Sequence, residues 1–113
     1  MNIVCIGGGP GSLYFSLLAK KRFPNWRVRV FERNPRDVTW GFGVVFSDDT
    51  MEGFRGNDEA TYQAITNSFV HWDDIDIHYQ GEVLRSGGHG FAGMQRLKLL
   101  QILEARAREL GVE

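Results

Sequence analysis

An α/β fold opening on a βαβ unit is what this 113-residue sequence predicts, and three observations carry the prediction. An apolar run, Ile3-Val4-Cys5-Ile6, is followed at once by Gly7-Gly8-Gly9-Pro10-Gly11-Ser12. A helical stretch from Leu13 to Arg22 comes next. A second apolar run, Val28-Arg29-Val30-Phe31, then ends at an acid, Glu32. Strand, glycine turn, helix, strand and terminal carboxylate, in that order, form the signature of a dinucleotide-binding crossover.

Each part has its own mechanical job. Gly7 permits the tight exit from the first strand, and Gly9 lets the backbone come close to a pyrophosphate. The helix that follows directs its free N–H groups and positive dipole end at that anion. Glu32 lies about 20 residues past the turn, where a carboxylate can accept hydrogen bonds from a ribose. One position departs from the pattern. The third glycine of the fingerprint falls at Ser12, a small residue that loosens the helix–strand packing only slightly. The competing reading is a glycine turn that merely joins strand to helix.

After Glu32 the chain reads as loop through Asn34-Pro35-Arg36-Asp37, then as an extended segment from Trp40 to Phe46. Gly41 and Gly43 among bulky neighbours fit either close approach of a flat ligand or a bulged strand. Ser47-Asp48-Asp49-Thr50 offers helix N-caps, with Asp49 and Glu52 at capping-box spacing, for a short helix ending near Phe54. A second short helix begins at Asn57 or Asp58 and buries Tyr62, Ile65 and Phe69 at spacings of three and four. Phe69 to Tyr79 reads as one strand with mixed faces, and Gln80-Gly81-Glu82 turns it into Val83-Leu84-Arg85-Ser86, an inserted β-hairpin. Three glycines surround His89 in the loop Ser86 to Phe91, either for a ligand or as a flexible connection. Met94 to Leu110 reads as an amphipathic helix with Leu97, Leu100, Leu103, Ala107 and Leu110 near one face, stopped by Gly111. Val112-Glu113 resembles the first step of a further strand. A βαβ sheet needs more parallel neighbours, so residues 1–113 are expected to be the N-terminal part of a longer domain, truncated before its third sheet strand.

Composition narrows the function classes. Thirteen basic against 14 acidic residues leave no electrostatic footprint for nucleic acid or an anionic membrane. The single cysteine, Cys5, forms no internal disulfide, which suits a cytoplasmic protein, and its place in a strand reads as packing. No signal peptide or membrane span is read, since Lys20-Lys21-Arg22 interrupts the apolar sequence. His71, Asp73 and His78 lack ligand spacing, so no metal is assigned. There is no nucleophile elbow, Cys/His pair or partnered carboxylate pair.

Ile6-Gly7-Gly8-Gly9-Pro10, Phe31-Glu32-Arg33-Asn34, Gly41-Phe42-Gly43-Val44-Val45 and Arg96 together resemble the N-terminal FAD-binding region of the flavin-dependent aromatic hydroxylases, the p-hydroxybenzoate hydroxylase superfamily. Gly43-Val44-Val45-Phe46-Ser47-Asp48, His71-Trp72-Asp73-Asp74-Ile75-Asp76 and Ser86-Gly87-Gly88-His89-Gly90-Phe91 are similar to its aryl-CoA branch, the salicylyl-CoA 5-hydroxylases and 2-aminobenzoyl-CoA monooxygenase/reductases. The resemblance implies an incomplete Rossmann-like FAD-binding domain of the glutathione-reductase type. It implies that Gly7, Gly9, Pro10, Gly11 and Ser12 surround the FAD pyrophosphate and that Glu32 holds the adenosine ribose. Arg33 would lie beside the adenine half, Gly43 and Val44 near the flavin ring, and Arg96 by the phosphate–ribose region. His89 is the one substrate-side candidate. The implied reaction is hydroxylation of a small aromatic substrate, as a CoA thioester, with NADH or NADPH as reductant and molecular oxygen. The parent enzyme is expected in the cytoplasm, with a homodimer as its possible assembly. Family members carry later Asp-Gly and Gly-Asp motifs, and neither dipeptide occurs here, so the fragment alone is expected to be inactive. The alternative is a stand-alone, non-catalytic module binding NAD or FAD.

Overall fold

The computed structural model describes residues 1–35 and 41–113. The expected crossover is present: β1 (Asn2–Ile6), α1 (Pro10–Arg22) and β2 (Arg27–Phe31), with the strands parallel and in register from Asn2↔Arg27 to Ile6↔Phe31. Pro10 occupies the first helical position, where its missing N–H costs nothing, and Lys20, Lys21 and Arg22 complement the negative end of the helix. Leu13 and Leu17, one turn apart, bury the inner face of α1. Ser16 is fully buried beneath them. Its Oγ lies 3.3 Å from Cys5 Sγ and donates to the Ser12 carbonyl at 2.7 Å, so small side chains bring the helix onto β1 despite the serine at position 12.

The remainder is β3 (Gly43–Ser47), α2 (Asp48–Asn57), α3 (Glu59–Thr66), β4 (Val70–Trp72), β5 (Ile75–Tyr79), β6 (Glu82–Ser86), β7 (Phe91–Gln95) and α4 (Arg96–Leu110). Strands β3, β7 and β4 form an antiparallel sheet in the order β3-β7-β4, and β5-β6 is a separate hairpin. Leu13 and Leu17 of α1 join Leu99, Leu103 and Ala107 of α4 in the core, with Val28, Met51, Phe54, Ile65, Ala92, Met94 and Val112. Each fully buried leucine contributes about 1.5–3 kcal/mol.

Two expectations are corrected, and two open readings are decided. The final helix starts at Arg96 and not at Met94, because Phe91–Gln95 is a strand lying between β3 and β4. Phe69–Tyr79 is not one strand: β4 and β5 belong to different sheets and part at Asp73-Asp74. Of the N-cap candidates Ser47-Asp48-Asp49-Thr50, Ser47 is the cap of α2, its Oγ accepting from the Thr50 N–H at 3.3 Å, so the Asp49–Glu52 spacing is not a capping box. Of the two readings left open for Gly41 and Gly43, the strand is present but not its bulge: β3 runs opposite β7 in continuous register from Gly43↔Gln95 to Ser47↔Phe91. Arg36, Asp37 and Trp40, read as loop and strand entry, lie outside the described residues.

Asp58, placed at the start of the second short helix, is its N-cap and a buried ionic node. Its carboxylate accepts from Thr61 N and Oγ1, from Lys21 Nζ at 2.9 Å, and from Arg106 Nε and Nη2 at 2.8 and 3.0 Å. Helices α1, α3 and α4 are thus fastened at one point. Burial pushes this carboxyl upward, but the bonds from Arg106, Thr61 and Lys21 outweigh it and hold Asp58 well below the usual carboxylate range.

Candidate functional site

The exit of β1 is shaped by Gly7, whose φ of +99° is a conformation that side chains resist. Its N–H donates to the Phe31 carbonyl at 2.7 Å, which fixes the turn against the end of β2. Gly9 then caps α1 with no side-chain bond and no acid in the first turn, so the first amides of the helix carry no side-chain partner from the helix itself. A Cβ built on Gly9 or Gly11 meets nothing within 4 Å. The space beside the turn is therefore open, as a group approaching the backbone requires.

That turn opens on a cavity of about 380 Å³, within the range of small-molecule sites. Gly8, Gly9, Glu32 and Asn34 line one side, and Arg96, Leu97, Leu100, Gln101, Glu104 and Arg108 of α4 line the other. Glu32 is exposed, and its carboxylate accepts from the Gly8 N–H at 2.6 Å and the Asn34 N–H at 3.1 Å. The Gly8 bond, followed by that of Asn34, favours the charged form and lowers its pKa. A cation from α4 and backbone amides from a helix start thus face one concavity, a donor set suited to a diphosphate linked to a ribose.

Three of the residues read from sequence, Gly9, Glu32 and Arg96, come together in this cavity. Gly7, Pro10, Gly11 and Ser12, in the turn and the first helical residues on either side of Gly9, do not line it, and neither does Arg33. Gly43 and Val44 do not line it. The residue before them, Phe42, meets a lining residue: its carbonyl accepts from the Arg96 N–H at 3.2 Å. A Cβ at Gly43 would stand 3.1 Å from the Met94 carbonyl oxygen, so strand packing against β7 already calls for glycine there.

His89 lies apart from the cavity. Its Nε2 is 2.8 Å from Ser86 Oγ, its N–H donates to the Asp73 carbonyl, and its ring stacks on Phe91. Nearby, His71 Nε2 pairs with Asp48 Oδ1 at 3.2 Å, while His78 stands on the hairpin. Among the described residues no group of three His, Cys, Asp or Glu side chains has metal-binding geometry. No helix among them is long and apolar enough to cross a membrane.

Sequence reasoning missed Asn34 and the second stripe of α4. Leu97 and Leu100 are half-buried and line the cavity with Gln101, Glu104 and Arg108, Leu100 also packing against the core, while Leu99, Leu103 and Ala107 form the buried stripe. The signal was present as a second run at spacings of three and four, beginning beside Arg96.

By fold, the chain matches part of longer solved proteins. It superposes on 2-methyl-3-hydroxypyridine-5-carboxylic acid oxygenase with a TM-score of 0.84 at 20% identity, covering 99% of this chain and 30% of that one. It likewise superposes on CtdE, solved in complex with FAD, with a TM-score of 0.73 at 19% identity, covering 99% and 28%. In sequence it is 46% identical, over all 113 residues, to salicyloyl-CoA 5-hydroxylase of Streptomyces sp. The match spans 100% of this chain and 22% of that relative's length. No protein-family model matches.

Proposed function

We propose that this chain is the FAD-binding portion of an NAD(P)H-dependent monooxygenase that hydroxylates an aromatic substrate presented as a CoA thioester. The observation that carries the reading is the convergence of Gly9, Glu32 and Arg96 on one cavity beside an uncapped helix start. The identity with salicyloyl-CoA 5-hydroxylase favours this over a stand-alone module and supplies the substrate class. The short share of that relative supports reading residues 1–113 as part of a larger FAD domain.

When bound, FAD supplies the redox chemistry, taking electrons from NADH or NADPH and activating oxygen. The residues here bind and orient it. The amides of Gly9, Gly11 and Ser12 receive the pyrophosphate, Glu32 the adenosine ribose, and Arg96 offsets phosphate charge. Arg33 stands toward the adenine, and Gly43 and Val44 toward the flavin ring. His89, held by Ser86 and Asp73, is the candidate on the substrate side. Soluble cytoplasmic residence and a homodimer complete the reading of the parent protein.

The test uses the full-length protein encoded with this segment. A yellow preparation whose NAD(P)H oxidation accelerates when salicyloyl-CoA or 2-aminobenzoyl-CoA is added supports the reading. A colourless, folded protein that takes up no flavin refutes it.

A further inference from the structure

Glu32 is exposed to solvent, yet both oxygens of its carboxylate are committed to the main chain. The shorter bond, 2.6 Å from the Gly8 N–H, joins residues 24 apart in sequence. A Cβ placed on Gly8 would lie 3.0 Å from Glu32 Cβ, so the acid lies flat against the middle of the glycine turn. Its neighbour is fastened too, since the Gly7 N–H donates to the Phe31 carbonyl. Two consecutive turn amides are therefore tied to two consecutive residues at the end of β2. Gly9 and the first turn of α1 are left facing the cavity.

Given the dinucleotide cradle proposed above, we infer that Glu32 is a positioning residue. Its carboxylate clamps the glycine turn in the ligand-ready shape before any ligand arrives, separately from any bond it makes to a ribose. The two roles are compatible, because each carboxylate oxygen has two lone pairs and the clamp uses one of each. Charged acceptors make the stronger bonds, which suits a clamp that closes in water. Glutamine keeps the shape but offers one acceptor oxygen for two N–H groups. Aspartate falls one methylene short.

The experiment measures binding of ADP and of 2′,3′-dideoxy-ADP to the chain and to Glu32→Gln, with the Gly8 amide followed by NMR in the ligand-free state. The clamp predicts that Gly8 shifts upfield in the variant and exchanges with water about tenfold faster, the factor that a 1.4 kcal/mol difference gives. It further predicts that dideoxy-ADP loses affinity although it has no ribose hydroxyl, and that ADP loses at least as much, since its bond to the ribose goes with the clamp. Glu32→Asp should restore neither readout. Loss of ADP affinity alone, or an unmoved Gly8 amide, would overturn the clamp and leave Glu32 as a ribose hook. Should the unmodified chain bind neither nucleotide, the cradle fails, and the Gly8 amide still decides the clamp.

Discussion

The region around α4 and the β5–β6 hairpin are built on opposite terms. Leu99, Leu103 and Ala107 of α4 are buried to within 2% exposure, and the opposite stripe of the same helix walls the cavity. The hairpin has no buried residue: Ile77, Tyr79, Val83 and Leu84 are all more than half exposed. What holds it is local. Gln80 and Gly81 both have positive φ, at 48° and 80°, forming the two-residue turn that matches strand twist, and Asp76 receives Arg85 through two nitrogens at 2.8 and 3.1 Å. One region is specified by what packs on it, the other by its own turn. Substitutions should therefore cost much in the first and little in the second.

The largest expected effect is at the node joining three helices. Asp58→Ala leaves the largely buried Arg106 with the exposed Glu109 as its acid, beside a half-exposed Lys21, and removes the cap of α3, and should cost about 3–5 kcal/mol in urea unfolding. A cost below about 1 kcal/mol would mean the node is no more than a surface pair. Because this carboxyl titrates below its ordinary value, its contribution is complete above a pH of about 4 and is lost as pH falls toward the lowered folded value. Acid titration of Asp58→Asn should show a shallower loss of stability over that window than the unmodified chain. Leu103→Ala, at 1% exposure, should cost about 2–5 kcal/mol by the same denaturant measurement.

Next in size are the cavity variants. Gly9→Val, whose side chain would fill the open space beside the turn, should reduce FAD retention by about tenfold or more, roughly 1.4 kcal/mol. Glu32→Ala should reduce it less, because it leaves that space free, and equal FAD affinity in both variants and the parent would show the cradle misplaced. At the small end, Leu84→Ala on the hairpin should change stability by no more than about 0.5 kcal/mol. A cost matching Leu103→Ala would erase the contrast between the two regions.

The same contrast explains what could be read from sequence. The glycine turn, Glu32 and the Gln80-Gly81 turn were legible because each rests on local stereochemistry: positive φ, a helix start, a carboxylate at strand end. Strand β7 was not legible. Phe91-Ala92-Gly93-Met94 has the alternation of a strand, but the helix that follows shares its apolar content, and only pairing with β3 and β4 decides the matter. Gly93 shows the dependence directly, since a Cβ there would meet the Trp72 ring at 3.0 Å. Likewise the split at Asp73-Asp74 comes from β4 and β5 having different partners, which no local pattern records. The cavity wall of α4 was not legible either, because Leu97 and Leu100 form an apolar stripe beside the buried one, and periodicity alone does not tell a stripe that packs from one that also lines a cavity.

The most direct test of the cradle is an ADP titration of the ¹⁵N-labelled chain. The account predicts saturable shifts concentrated at Gly9, Gly11, Ser12, Glu32 and Arg96, with the hairpin residues Ile75–Ser86 unmoved. Shifts that are absent at the glycine turn, or that gather on the hairpin, would contradict it.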